Sequence, residues 1–161
     1  MRKTHTLSLT AGAMIAALYV VLTLLCSALG LASGAVQLRL SEALNALCLF
    51  HPAAIGGLTV GCLLSNLLSG CALWDVAVGS LATLLGAWGV YRLRRSPILA
   101  LLAPVVTNAL LLPPVFCFVY QWEGGLAWFA LTVGAGQLLS ATLAGGLLYR
   151  LLLRHLPQKK K

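Results

Sequence analysis

The chain has 161 residues, 60% of them hydrophobic and 9% charged, with a mean hydropathy of +0.96. Such a composition describes an integral membrane protein and excludes a soluble enzyme carrying one anchoring helix. The formal net charge of +8 does not signal nucleic acid: Arg2 and Lys3, Arg92, Arg94 and Arg95, and Arg150, Arg154 and Lys159 to Lys161 all fall at the ends of apolar segments, without an aromatic-interleaved polar face.

A membrane-spanning helix takes about 20 apolar residues, so the length holds about six and leaves no room for a soluble catalytic or nucleotide-binding domain. The expectation is one membrane domain over 1–161. Five cysteines, an odd number with no CxxC pair, read as small buried hydrophobes, giving neither a metal site nor a disulfide framework. The first apolar run is too long for the core of a cleavable signal peptide.

The first predicted helix covers residues 10–31. Ala13 and Ala17 form a small-xxx-small pair that allows another helix to approach closely, either within the chain or on a separate subunit. A Gly-rich turn follows at 30–35. The second helix, 36–50, is short for a full crossing. It carries Arg39, Glu42 and Asn45, three residues apart and therefore on one face. Ionisable groups at membrane depth cost several kcal/mol unless paired or hydrated, so this stripe is a ligand-binding candidate. His51 and Pro52 make the next turn, where His51 reads as structural. The third helix covers 52–69, with Gly57, Gly61 and Ser65 on a close-packing face and Asn66 beside it.

The fourth helix, 74–91, opens with Asp75 in its first turn, where a carboxylate suits the positive end of the helix dipole. The fifth, 97–119, carries Asn108 between Pro104 and the Pro113–Pro114 pair, which are expected to interrupt it. Glu123 lies in the loop QWEGG, flanked by Trp122 and Trp128 as at a membrane interface. The sixth helix, 126–153, holds Gln137 about halfway along.

With both termini and the RLRR loop (92–95) in the cytoplasm, every basic cluster lies inside. Arg39, Glu42, Asn45, Asn66, Asp75 and Glu123 then fall on the outer side, with Asn108 and Gln137 near the middle. All three acidic residues of the chain share that side. Carboxylates and amides converging in a helical bundle suit a planar, donor-rich heterocycle or a cation. The other reading is that they satisfy one another in a ligand-free scaffold. No arrangement of His, Cys or Ser beside a base suggests an enzyme.

The stretches LRLSEALNAL (38–47), HPAAIGGLTVGCLLSN (51–66) and DVAVGSLATLLGA (75–87) resemble the QueT family of queuosine-precursor transporters, most strongly over 36–88. That resemblance implies the substrate-binding (S) component of an energy-coupling factor (ECF) transporter in a bacterial plasma membrane. It implies a bundle of six transmembrane helices, with a ligand pocket near the outside under a gating loop between the first two helices. The ligand would be a 7-deazaguanine, such as a pre-queuosine base or queuine. The chain itself would hydrolyse nothing and hold no cofactor. It would dock, through Ala13 and Ala17, on a transmembrane T component served by two cytoplasmic ATPases that use ATP. Glu42 is the first candidate for the base edge, with Arg39, Asn45, Asn66, Asp75, Asn108, Glu123 and Gln137 around it. An S component for another vitamin or heterocycle is the alternative in the same fold class.

Overall fold

The structure is a computed structural model that describes residues 2–31 and 38–155, with side chains from residue 6 onward. Residues 36 and 37, the expected gating loop over 32–35 and the lysine tail lie outside the described residues. Within them the chain is helical throughout: α1 (Arg2–Ala28), a 3₁₀ helix (Leu40–Leu49), α2 (Ala53–Leu68), α3 (Leu73–Arg92), α4 (Pro97–Phe118), α5 (Leu126–Gln137), a π-helical segment (Leu138–Ala144) and α6 (Gly145–His155). The last three run on without a break, so the predicted helix 126–153 is one rod with a π-wound middle. Four stretches are long and apolar enough to cross a bilayer: Thr6–Ala28, Leu73–Arg92, Pro97–Phe118 and Leu126–His155. The fold is that of an all-α membrane protein.

The second predicted helix differs from expectation in its winding. Residues 40–49 form a 3₁₀ helix, whose rise of about 2.0 Å per residue carries ten residues over about 20 Å, short of a hydrocarbon core about 30 Å thick. At three residues per turn Glu42 and Asn45 eclipse, whereas Arg39 is the extended residue that precedes the helix and lies outside its winding.

The prolines do not interrupt α4, which is continuous from Pro97 to Phe118. Carbonyls along its first half are met by side chains: Asn108 donates to Pro104 O at 2.8 Å, and Thr142 donates across to Leu101 O at 3.1 Å. Neither carbonyl is one that a proline orphans: Pro104, Pro113 and Pro114 withdraw the N–H donors that would meet the carbonyls of Ala100, Ala109 and Leu110.

Helix packing rests on small residues. A Cβ on Gly57 would lie 2.6 Å from Gly12 O, and one on Gly61 would lie 2.7 Å from Tyr19 Cβ. These contacts advance together along both chains, so α1 and α2 run parallel, with the 3₁₀ helix as the return between them. α3 and α4 are antiparallel, with Gly86 against Pro104 and Gly79 near Leu112. The main core joins Tyr19, Leu44, Leu58, Cys62, Ala87 and Val90, drawn from four elements. A second cluster of Leu112, Phe116, Phe129 and Val133 ties α4 to α5. The turn at 69–72 and the loop at 119–125 therefore lie at one end of the bundle, together with Arg39. His51 and the basic turn at 93–96 lie at the other.

Candidate functional site

Two polar clusters emerge from the residues predicted as one site. The deeper is built on the 3₁₀ helix and α1. Tyr19 is fully buried, and its hydroxyl donates to Glu42 Oε1. Asn45 Nδ2 donates to Glu42 Oε2 at 2.9 Å and to the Glu42 carbonyl at 3.0 Å. Thr23 donates to Ser41 Oγ at 2.8 Å one turn along. Glu42 is only 1% exposed, and both its carboxylate oxygens already have donors. Glu42 therefore ties α1 to the 3₁₀ helix. Among the described residues Asn45 Oδ1 is left buried without a partner, as are Gln137 Oε1 and Ser140 Oγ around the start of the π segment. The 3₁₀ helix and the π segment pack against each other, so these open valences belong to neighbouring elements, both wound irregularly. π-helical turns recur at functional sites.

The second cluster lies at the end of the bundle with the 69–72 and 119–125 turns. Arg39 Nη1 donates to Asn66 Oδ1 at 3.4 Å, so the guanidinium expected beside Glu42 reaches α2 instead. Asn66 is buried and its amide points back to Cys62 Sγ at 3.7 Å. Asp75 is 5% exposed. It stands in the first turn of α3, where the helix dipole favours its charge, and its Oδ2 accepts a hydrogen bond from the Tyr120 hydroxyl at 3.1 Å. The same hydroxyl accepts from Ala72 N at 3.1 Å. Gly79 separates the two side chains: a Cβ there would lie 3.0 Å from Asn66 Nδ2 and 3.9 Å from Asp75 Oδ1. The Asn66 amide thus packs closely on Gly79 with the Asp75 carboxylate nearby, and a larger residue at 79 would press on the amide.

Aromatic rings cover this end. Trp122 stacks on Phe116 at 5.1 Å and on Tyr120 at 5.2 Å, and Phe129 meets Phe116 edge-on at 5.7 Å. Gln121 adopts φ 53° to turn the chain, and the Trp122 amide bonds back to Phe116 O at 3.1 Å, holding the roof on the end of α4. Burial pushes the Tyr120 phenol above its ordinary range, and the Asp75 carboxylate adds to this against the opposing effect of the Ala72 N–H. Tyr120 therefore stays a protonated donor at neutral pH. The Cys71 thiol is raised by burial first and by Asp75 next.

The remaining predicted residues divide. Asn108 is buried but spends its amide on Pro104 O. Glu123 is exposed in the loop, outside the buried set. His51 Nδ1 accepts the Ala53 N–H at 3.0 Å, the structural role read for it. Ala13 and Ala17 face outward, whereas Gly12 and Ala16 make the contact with α2. Ala13 lines a groove of about 830 Å³ between α1 and α2, with Gly12, Ala16, Gly56 and Gly57. This groove lies at the opposite end from Asp75.

Comparison with known proteins identifies the family. The family model described as "QueT transporter" matches residues 9–154, nearly the whole chain. The chain belongs to the QueT transporter family. A curated relative, the queuosine precursor transporter QueT of Lactococcus lactis subsp. cremoris (strain MG1363), is 41% identical over 85 residues, 52% of this chain and 49% of that protein. The chain thus aligns with about half the length of this QueT relative. No solved structure matches the chain.

Sequence reasoning missed Tyr19, Thr23, Tyr120 and Ser140. Tyr19 carried a usable signal: it shares a helical face with Ala16 and Thr23, where a tyrosine in an apolar run needs a buried partner. Tyr120 gave none, since its partner Asp75 is 45 residues away.

Proposed function

We propose that this QueT-family protein is the membrane substrate-binding component of an ECF importer, and that it captures a queuosine precursor of the 7-deazaguanine class. The observation that carries the reading is the buried Asp75 carboxylate, held by Tyr120 under stacked aromatic rings and facing Asn66 across Gly79. A carboxylate accepts the paired N–H donors of a guanine-like edge through charge-assisted bonds. An amide beside it supplies both a donor and an acceptor, and aromatic faces suit a flat heterocycle. The substrate assignment draws support from family membership and from the name of the Lactococcus relative, a queuosine precursor transporter.

In this reading Asp75, Asn66 and Arg39 contact the ligand at the outer end, with Gln137 and Asn45 offering acceptors deeper in the bundle. Glu42 acts as a positioning residue that fixes the 3₁₀ helix. Asn108 supports the proline-containing stretch of α4, and Glu123 lies at the entrance. The exposed Ala13–Ala17 face and its groove dock on a transmembrane T component. Two cytoplasmic ATPases supply the energy. The setting is a bacterial plasma membrane with the basic turn at 93–96 inside.

Titration of the purified protein with a pre-queuosine base and with guanine tests the substrate class. The expected result is saturable one-to-one binding of the 7-deazaguanine and markedly weaker binding of guanine. A folded protein that binds neither, or prefers an unrelated heterocycle, refutes it.

A further inference from the structure

A second hollow lies away from this site, between α4 and α6. It has a volume of about 460 Å³, and its walls include Ile98, Leu101, Leu143, Gly146, Leu147 and Arg150. Ile98, Leu143 and Leu147 are 76%, 64% and 60% exposed, so the groove opens sideways along apolar walls. A Cβ added to Gly146 would meet nothing within 4 Å, which leaves the floor clear. Arg150 stands one helical turn beyond Gly146 on the same face.

The charge around its mouth is of one sign. Arg154 follows Arg150 by another turn, and Arg92, Arg94 and Arg95 lead directly into Pro97, which also lines the groove. No acidic side chain is among its lining residues: the 3₁₀ helix packs behind α6 at Gly145, but its Glu42 carboxylate is buried against Tyr19 and Asn45, Asp75 opens α3 at the far end, and Glu123 is in the 119–125 loop. The N-terminus of α4 has no side-chain cap from Ser96 and carries Pro97 in its first turn. Its free amides and dipole add to the positive potential. An apolar slot ending in guanidinium charge, with no acidic partner among the described residues, matches one ligand architecture: an acyl chain attached to an anionic phosphate.

We propose that the α4–α6 groove is a binding site for an anionic phospholipid, with an acyl chain along Leu143, Gly146 and Leu147 and the phosphate at Arg150. A docked helix from another protein would need acidic residues placed at this rim, whereas the membrane supplies both parts in one molecule. The site is independent of the substrate reading, since it shares no residue with the Asp75 cluster.

The test uses the full chain in nanodiscs of equal phosphatidylcholine and phosphatidylglycerol, released for native mass spectrometry. The wild type is expected to retain phosphatidylglycerol over phosphatidylcholine. Arg150→Gln should cut that preference about fivefold, the equivalent of one basic residue at a lipid surface. Gly146→Leu, which fills the floor without meeting a neighbour at Cβ, should remove retention of both lipids. Equal retention of the two lipids, unchanged by Arg150→Gln, overturns the proposal. So does a Gly146→Leu protein that keeps its lipid but no longer assembles with its ATPase-linked partners, which would make the groove a protein interface. Thermal unfolding of both variants at the wild-type temperature confirms that the readout reflects the site.

Discussion

Replacing Asp75 by Asn is the sharpest perturbation of the proposed substrate site. The side chain is 5% exposed and accepts the Tyr120 hydroxyl at 3.1 Å. Asn keeps the shape and one acceptor oxygen, so the Tyr120 bond survives and the fold should be little disturbed. What is lost is the negative charge facing Asn66 across Gly79. A hydrogen bond to a charged group contributes about 1.5–3 kcal/mol, against about 1 kcal/mol for a neutral one. If a 7-deazaguanine edge is read by this carboxylate, the variant also presents an N–H against the ligand's own N–H donors. The expected loss is about 1.5–3 kcal/mol, which weakens Kd about 10- to 150-fold. Isothermal titration calorimetry on the purified protein measures it, with thermal unfolding as the control for folding. A Kd within about twofold of wild type, in a variant that unfolds at the same temperature, removes Asp75 from the site and refutes the reasoning.

Three further outcomes follow from the same geometry. Tyr19→Phe strips Glu42 of one of its two side-chain donors in a fully buried setting and should destabilise the protein by about 1–3 kcal/mol, read as a lowered unfolding temperature; an unchanged temperature would mean Glu42 is not what ties α1 to the 3₁₀ helix. Ala13→Trp fills the α1–α2 groove from its exposed face, so it should abolish co-purification with the T component while leaving ligand affinity intact; loss of both would indicate misfolding. Because burial and the Asp75 charge both raise the Cys71 thiol, its thiolate is scarce at neutral pH; Asp75→Asn removes the second cause, lowers that pKa and should speed alkylation of Cys71 at fixed pH, and an unaltered rate would mean the carboxylate is not felt there.

Much of the helical layout was legible in the sequence, because apolar runs bounded by polar turns fix it. The boundaries near Pro97 and Leu126 were placed within a residue, as a proline at the first helical position and the QWEGG turn require. The three-residue spacing brought Glu42 and Asn45 together but not Arg39, which precedes the helix in extended conformation. What it could not reveal was how these residues are used. Arg39 turns to Asn66 and Glu42 to Tyr19, partners 27 and 23 residues away, and such pairings depend on how helices pack. The 3₁₀ and π windings were likewise hidden: the two segments pack against each other, and the apolar pattern of the sequence does not mark either winding. The prolines of α4 misled because a missing backbone donor is a local cost, and the helix nevertheless runs unbroken from Pro97 to Phe118 within the bundle. Tyr120 was out of reach, because its partner Asp75 is 45 residues away and becomes visible only once the fold brings the two together.

The most direct test of the substrate reading is to purify the protein from cells supplied with a pre-queuosine base and identify by mass spectrometry the small molecule it carries. The account predicts a 7-deazaguanine in one-to-one ratio, absent from the Asp75→Asn protein prepared alongside. A different heterocycle, or a folded protein that emerges empty, would contradict it.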